Sequence, residues 1–417
     1  MLFSPIHHTF APLADRRQCV RALLMLCAPW AYRSGDSRDI LREHLRTAFG
    51  AEAFLFSAGR TGLLAVLRAM KLQSGDEVIV QGYTCVVVPN AIHAAGASPV
   101  YADLDPDTLN LDPEETAKAI TPRTRAIICQ HTFGIPADTE RLRALCDQHK
   151  ILLIEDCAHI IPDESGPKEI GKYGDVLLLS FGRDKAISGV SGGAVLCRHA
   201  ELSAGLDALT KDAKEMSRWM IARLLLYPLL YAMARPFYSS GIGKAWLKVM
   251  SLTRFLIPIL TKDEKQGHMP PIIDRMPNAL AYLALDQWHH LHILNDHRRM
   301  LTRFYLEEGK KRTWLRALPG ITPDLPLQKF PLFLRNADHL RTILRRRNIH
   351  LSDGWTGCVV CPATVNIDQT HYKPGTDLKA EMACRQILSL PTHPTMTIKQ
   401  AERLVGEIEA ILSFSQH

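Results

Sequence analysis

Short apolar runs alternate along residues 51–200 with segments whose apolar residues recur at helical spacing. This alternation predicts β-strands and α-helices in turn. The predicted strands are 53–57, 77–80, 99–103, 125–130, 151–156, 176–180 and 194–197. The predicted helices between them are 63–70, an Ala-rich helix after 83–90, 113–120 and 141–149. We therefore expect an α/β fold, with a mostly parallel sheet that has helices on both faces.

Polar side chains stand where the predicted strands end. They are Ser57, Tyr83, His131, Asp156 and Ser180. Ligands of open parallel sheets bind at the carboxyl ends of the strands. The sequence thus predicts a binding site where these side chains converge.

One lysine, Lys185, follows the strand 176–180 and precedes a glycine-rich turn, 189–193. A lysine placed there suits a Schiff base with an aldehyde cofactor. Asp156 ends an earlier strand and suits the pyridinium N–H of pyridoxal 5′-phosphate (PLP), which needs such an acid to act as an electron sink. A solvated loop lysine is the alternative interpretation.

A second glycine-rich turn, 58–62, joins the strand 53–57 to the helix 63–70. The N–H groups and dipole at a helix N-terminus attract anions, and Arg60 adds a charge that suits a phosphate. The alternative is an ordinary strand-to-helix turn.

The rest of the chain divides into an N-terminal part and a C-terminal part. We expect a helical lead-in over 1–50, a large α/β domain over 51–265 and a smaller α+β domain over 266–417. The lead-in contains an amphipathic helix after Asp36, and the last domain ends in a helix over 398–412. A chain of 417 residues is long enough for two domains.

The composition of the chain indicates its cellular compartment and the class of its binding partners. The net charge of +7 is mild, so it suits an anionic substrate or a membrane surface, and we expect no nucleic-acid partner. The ten cysteines are scattered, which predicts free thiols in a reducing compartment. Cys358 and Cys361 form a lone C-x-x-C that we assign to a strand, so no metal is expected. No segment is a convincing signal peptide, and we expect a cytoplasmic protein.

The segment 202–265 differs in character from the alternating region. Its apolar runs are interrupted by charges and prolines, so neither run predicts a membrane span. Bases recur through 215–260 at Arg218, Arg223, Arg235, Lys244, Lys248 and Arg254, and aromatic rings at Trp219, Tyr227, Tyr231, Tyr238 and Trp246. We favour helices packed against the protein or a partner subunit, and the alternative is peripheral contact with the inner face of a membrane.

Eight short motifs, taken in order, resemble one family: the DegT-type, PLP-dependent sugar aminotransferases of the aspartate-aminotransferase fold. The motifs are SAGRT at 57–61, GDEVIV at 75–80, ADLDPDTLNLD at 102–112, HTFGIPAD at 131–138, EDCAH at 155–159, SFxxxK at 180–185, RMPNA at 275–279 and LSLPTHPxMT at 388–397. The resemblance covers most of the chain and is strongest over 53–198, 270–300 and 384–412.

The resemblance assigns roles to residues of this chain. Lys185 would be the Schiff-base lysine and acid–base catalyst, and Asp156 would pair with the pyridine nitrogen. His159 would lie near the ring oxygen of the cofactor. The phosphate would be held by Ser180, Gly59 and Arg60, with Thr61 beside them.

Two positions and one segment depart from the family pattern. Cys85 stands where an aromatic residue usually stacks on the cofactor ring, and Tyr83 lies two positions away as a candidate substitute. Ser191 stands where a Glu is common. The segment 202–265 is longer and more apolar than the family usually has.

The resemblance implies an aminotransferase that moves an amino group, from glutamate, to a nucleotide-linked keto-sugar in glycan or polysaccharide biosynthesis. It also implies a homodimer whose active sites are shared between subunits. One alternative is a sugar dehydratase of the same fold, but related dehydratases replace the lysine with histidine. A second alternative is a non-catalytic protein kept for binding or assembly.

Overall fold

The computed structural model describes residues 5–8, 10–352 and 354–414. The strands are β1 (Ile6–His7), β2 (Glu52–Phe56), β3 (Glu77–Gln81), β4 (Thr84–Cys85), β5 (Ser98–Ala102), β6 (Leu104–Asp105), β7 (Asn110–Leu111), β8 (Thr124–Gln130), β9 (Leu152–Asp156), β10 (Val176–Ser180), β11 (Gly193–Cys197), β12 (Lys214–Glu215), β13 (Asp274–Arg275), β14 (Lys329–Phe333), β15 (Ile349–His350), β16 (Val360–Cys361) and β17 (Ile387–Pro391). The helices are α1 (Arg16–Leu26), α2 (Ser37–Phe49), α3 (Gly59–Ala69), α4 (Val87–Ala94), α5 (Pro113–Ala119), α6 (Thr139–His149), α7 (Ala200–Lys211), α8 (Arg218–Ala234), α9 (Ile242–Leu252), α10 (Lys262–Lys265), α11 (Asn278–Trp288), α12 (Leu291–Lys311), α13 (Ala337–Arg346), α14 (Leu378–Gln386) and α15 (Ile398–Phe414).

A nine-stranded sheet, in the order β12-β13-β2-β11-β10-β9-β8-β3-β5, forms the centre of the molecule. From β10 to β5 the neighbouring strands are parallel, whereas β10, β11, β2 and β13 pair antiparallel. The structure therefore confirms the predicted mostly parallel α/β fold.

Alternate residues of each central strand enter different apolar clusters, as the period of two in a strand requires. Val176 and Leu178 pack with α3, α4 and α7, whereas Leu177 and Leu179 pack with α2 and α11. Both faces of the sheet are thus covered by helices, which leaves the strand ends as the open side.

The remaining C-terminal elements surround a third apolar cluster, in which β14 pairs with β17 and α12, α13 and α15 pack beside them. The N-terminal residues are not purely helical, because β1 pairs with β15 of this C-terminal part. The sequence did not predict this strand, and the boundaries 50/51 and 265/266 stay predictions.

The segment 202–265 folds into α7, α8, α9 and α10, and it is divided between buried and exposed parts. Ile221, Leu225 and Tyr227 of α8 are buried in a cluster that also contains Ala22 of α1. Part of this segment therefore packs internally, as we favoured. Within the described residues, no helix has the length and apolarity that crossing a membrane requires.

Candidate active site

A cavity of about 500 Å³ opens at the carboxyl ends of the parallel strands. Three of its lining residues are the last residues of adjacent strands: Gln130 of β8, Asp156 of β9 and Ser180 of β10. Lys185, five residues beyond β10, also lines it. The cavity lies at the strand ends, and of the five side chains predicted to converge there, Asp156 and Ser180 line it.

The cavity brings together most of the residues expected at the site. Gly59, Arg60, Cys85, Asp156, His159, Ser180 and Lys185 line it. Thr61 and Tyr83 are not among the lining residues, and neither are Ser57 and His131, whose convergence the strand ends had predicted.

Asp156 is buried and reaches the cavity, and one carboxylate oxygen, Oδ1, accepts the Ala158 N–H at 3.0 Å. Burial raises the pKa of the Asp156 carboxyl, while the Ala158 N–H and the charge of Lys185 act in the opposite direction. A buried carboxylate in this position favours a cationic partner, because an opposite charge stabilises its ionised form.

Glu155, the neighbouring residue, has a different role. Its carboxylate accepts the N–H groups of Gly171, Tyr173 and Gly174 and pairs with His131 Nε2 at 3.0 Å. Burial acts to raise the pKa of Glu155, but these hydrogen bonds outweigh it and the pKa is lowered. His131 is thereby held away from the cavity, and the prediction that it joins the site was wrong.

His159 is buried, and its Nδ1 accepts the backbone N–H of Phe133 at 3.0 Å. Burial and the nearby Lys185 and Lys329 lower the pKa of His159 well below its usual value. The ring is therefore neutral, with its proton on Nε2, and Nε2 donates rather than accepts. Such a donor suits a ring oxygen of a cofactor.

A candidate anion cradle lies where α3 begins, beside the end of β10 and the start of β11. No side chain caps the first turn of α3, and its first two residues, Gly59 and Arg60, line the cavity. A Cβ on Gly59 would lie 3.1 Å from Ser180 Cβ, and one on Gly193 would lie 2.5 Å from Gly59 N. Only glycine allows the backbone at the start of α3 to approach β10 and β11 this closely.

Arg60, at the edge of this cradle, is already paired with a carboxylate. Its guanidinium forms an ion pair with Glu264 and donates to the Ile259 carbonyl at 2.8 Å. We expected Arg60 to bind the phosphate. No local signal in the sequence indicates its ion pair, because Glu264 lies 204 residues away in sequence.

The missing ring-stacking aromatic is not replaced by Tyr83. Tyr83 is fully buried, and its O–H donates to the Trp355 carbonyl at 2.5 Å. Cys85 lines the cavity and is paired in register with Cys361 of β16. The aromatic residue in the lining is Trp355, whose ring meets His159 edge-on at 4.9 Å.

Several lining residues were missed by sequence reasoning. They are Gln130, Arg183, Trp355, Lys265 and the apolar residues 257–260. Gln130 carried a usable signal, since it ends a predicted strand one residue before His131. Arg183 lies two residues before Lys185, whereas Lys265, at the end of α10, and the loop residues are brought to the cavity only by the fold.

Comparison with known proteins agrees with this geometry. The sequence profile of the DegT/DnrJ/EryC1/StrS aminotransferase family matches residues 17–222 and 251–409. The chain belongs to this family. The residues between the matched ranges, 223–250, comprise most of α8 and all but the last two residues of α9.

Individual relatives of this DegT-family protein match over part of its length. It is 37% identical over 158 residues to an L-glutamine:2-deoxy-scyllo-inosose aminotransferase from Streptomyces kanamyceticus, which is 38% of this chain and 37% of that protein. It is 37% identical over 140 residues to a GDP-perosamine synthase from Vibrio cholerae, or 34% and 38% of the two chains. The alignments thus span well under half of these relatives.

The fold is shared over the whole chain with NtdA from Bacillus subtilis, whose crystal structure holds the bound cofactor PMP. The TM-score is 0.74 at 20% identity, and the alignment covers 99% of this chain and 86% of NtdA. At this identity the likeness shows the fold alone.

The cofactor of the family, PLP, fits the residues of this DegT-family protein. The cradle of Gly59 and Ser180 would hold its phosphate, Asp156 its pyridinium nitrogen and His159 its ring oxygen. When bound to Lys185, the cofactor supplies an electron sink for a carbanion.

Proposed function

We propose that this protein is a PLP-dependent aminotransferase that moves an amino group from glutamate to a keto-sugar. One observation carries the proposal. A lysine (Lys185), a buried carboxylate (Asp156) and a phosphate cradle (Gly59 with Ser180) line a single cavity. Amination needs these three groups together. The lysine binds the aldehyde of the cofactor, the carboxylate balances the charge of its ring nitrogen, and the cradle binds its phosphate.

The residues divide the work of the reaction. The amine of Lys185 carries a proton away from the donor's Cα and later returns one to the acceptor carbon. Asp156 keeps positive charge on the ring nitrogen, and the Nε2–H of His159 orients the ring. Ketoacid leaves before the acceptor enters, so the kinetics are ping-pong.

The names of the relatives support the class of acceptor. The Streptomyces relative is named for 2-deoxy-scyllo-inosose, and a relative from Acidithiobacillus ferrooxidans for UDP-N-acetyl-3-dehydro-alpha-D-glucosamine. These names share a ring bearing hydroxyls and a ketone, whereas only the second contains a nucleotide. The proposal therefore rests on the hydroxylated ketone, and the nucleotide carrier stays a prediction.

Two alternatives remain weaker. The lysine that related dehydratases replace is present as Lys185 and lines the cavity, which favours amination over dehydration. The non-catalytic alternative was supported by Cys85 and the apolar segment 202–265. It does not explain why Lys185, Asp156 and His159 remain together in one cavity.

We further propose a cytoplasmic homodimer with shared active sites and with peripheral membrane contact through 215–260. The membrane contact is supported by exposed bases, Lys244, Lys248 and Arg254. Arg235 is unsuitable, because burial lowers the pKa of its guanidinium and it donates to Thr395. Tyr227, also expected at the membrane interface, is buried.

A screen of hydroxylated ketones tests the amination. Cofactor-loaded protein is incubated with glutamate and each ketone, with and without a nucleotide, and the aminated product is measured by mass spectrometry. We expect at least one ketone to be aminated in step with 2-oxoglutarate release. If glutamate itself releases no 2-oxoglutarate, the proposed function is wrong.

A further inference from the structure

A segment that is apolar over 256–260 and polar over 261–265 lines the active-site cavity. Residues 256–265, which we call the roof, connect α9 to the end of α10, and Ile257, Pro258, Ile259 and Leu260 line the cavity. The roof is fixed in place, since Glu264 pairs with Arg60 and its carbonyl accepts Asn90 Nδ2 at 2.8 Å. With Leu224 of α8 also in the lining, part of the cavity wall is apolar, and Lys265 at the end of the roof adds a cationic group to the lining.

The roof continues onto the protein surface. Ile259 lines the cavity and is nevertheless 52% exposed, so it contacts both cavity and solvent. Beyond it lie five exposed apolar residues that we call the apolar strip: Trp219, Ile242, Val249, Leu252 and Phe255.

The apolar strip consists of two groups of neighbouring residues. The rings of Trp219 and Phe255 meet edge-on at 6.0 Å. Ile242, Val249 and Leu252 share one face of α9, because they are spaced seven and three residues apart. Leu252 is 73% exposed. Ile259, which lines the cavity, is partly exposed and follows Phe255 and α9 closely in sequence.

Charge identifies what this surface fits. Residues 216–262 contain no Asp or Glu, and Lys244, Lys248 and Arg254 are exposed beside the apolar strip. Anionic lipid attracts such bases, while the apolar side chains enter the headgroup boundary. A two-fold contact between copies of this chain would instead place the same cations opposite each other.

We propose that the amino acceptor is carried on a lipid, with its hydroxylated ketone near Lys185 and its apolar chain leaving the cavity past Ile257 and Ile259. The inference rests on the proposed function and specifies its carrier. The exchange is balanced: the acceptor C=O becomes CH–NH2, the donor CH–NH2 becomes C=O, and no other oxidant is needed. Docking of the apolar strip on an anionic bilayer presents the cavity to this substrate.

Alkyl glycosides test the path through the roof. The dissociation constants of maltose and n-decyl maltoside are measured calorimetrically on the holoprotein, below the detergent's micelle concentration. We expect n-decyl maltoside to bind at least about tenfold more tightly, because burying part of its chain is favourable. Ile257→Asn and Ile259→Asn should each remove most of that difference.

Leu252→Asn is the matched control, since Leu252 is exposed and does not line the cavity. This variant should keep the preference for n-decyl maltoside. Equal affinity for the two glycosides, or a preference that both roof substitutions leave unchanged, would overturn the inference. Retained cofactor absorption and circular dichroism show that each variant is folded.

Sedimentation with lipid vesicles tests whether the apolar strip binds an anionic bilayer. Holoprotein should sediment with phosphatidylcholine–phosphatidylglycerol vesicles at low salt and stay in solution with phosphatidylcholine alone, and Leu252→Asn with Lys248→Glu should abolish sedimentation. If these substitutions change the oligomeric state instead, the strip contacts a second copy and the inference is wrong. Release of 2-oxoglutarate from glutamate is measured in parallel, so a failed amination is distinguished from a failed carrier.

Discussion

At the scale of single residues, adjacent side chains of β9 serve different purposes. Asp156 faces the cavity, whereas Glu155 is tied to His131 and to three backbone N–H groups on the other side. Strand alternation predicts this division. It does not predict that Glu155 is a structural anchor, which depends on residues 171–174 folding around it.

Asp156→Asn should preserve the fold and lower kcat. An amide cannot balance the positive ring nitrogen, and a lost hydrogen bond to a charged group removes about 3 kcal/mol. That corresponds to a fall in kcat of about a hundredfold. Steady-state rates with glutamate, at saturating cofactor, measure the effect.

Glu155→Gln is the comparison. It should lower the thermal midpoint, because buried N–H groups lose a charged acceptor, and it should change kcat less than Asp156→Asn does. An unchanged rate in Asp156→Asn would mean that the ring nitrogen has another partner.

The positions of site residues were predictable only where the sequence carried a local signal. Lys185, Asp156 and Ser180 follow apolar strands, and all three line the cavity. Tyr83 was a poor candidate because its O–H is used by the distant Trp355 carbonyl, a contact without any sequence signal.

At the scale of elements, the start of α3 and the start of β11 meet without room for a side chain. Gly193→Ala would place a Cβ 2.5 Å from Gly59 N and 2.8 Å from the Leu179 carbonyl oxygen, and neither backbone atom can move freely. Overpacking of this kind costs about 1–3 kcal/mol. We expect weaker cofactor binding, measured by fluorescence titration.

Gly406→Ala provides the control for the Gly193 prediction. Gly406 lies in α15, and no atom lies within 4 Å of its added Cβ. That substitution should leave cofactor affinity unchanged. Equal affinity in Gly193→Ala would show that the cradle does not depend on this close approach.

The strands of the sheet were predictable because a short apolar run between two helices forms few structures other than a buried strand. Predicted strand 176–180 coincides with β10. The roof was not predictable, since its position depends on the long-range pair of Arg60 with Glu264.

At the scale of the whole molecule, buried histidines couple stability to pH. His393 stacks on His7 with ring centroids 5.1 Å apart, and its Nε2 lies 2.7 Å from the His7 carbonyl oxygen. Burial lowers the pKa of His393 from 6.5 to about 3. This contact joins the N-terminal residues to the C-terminal part.

Below the unfolded pKa the unfolded chain binds a proton at His393 that the folded protein excludes. The free energy of unfolding should therefore fall as pH falls from 6.5 toward 3, by about 2 kcal/mol at about pH 5 from this residue. In urea titrations at about pH 7 and pH 5, His393→Gln should lose about that much less stability than the parent. Equal losses would contradict the assignment.

The central claim, that Lys185 is the amine of a transaminase, is tested most directly by the first half of the reaction. Cofactor-loaded protein is mixed with excess glutamate and no acceptor, and 2-oxoglutarate and the cofactor's absorption are followed together. The parent should release about one equivalent of 2-oxoglutarate per site as the absorption shifts. Lys185→Ala should stay folded, bind the cofactor loosely and release none. Release by Lys185→Ala at the parent rate would contradict the account.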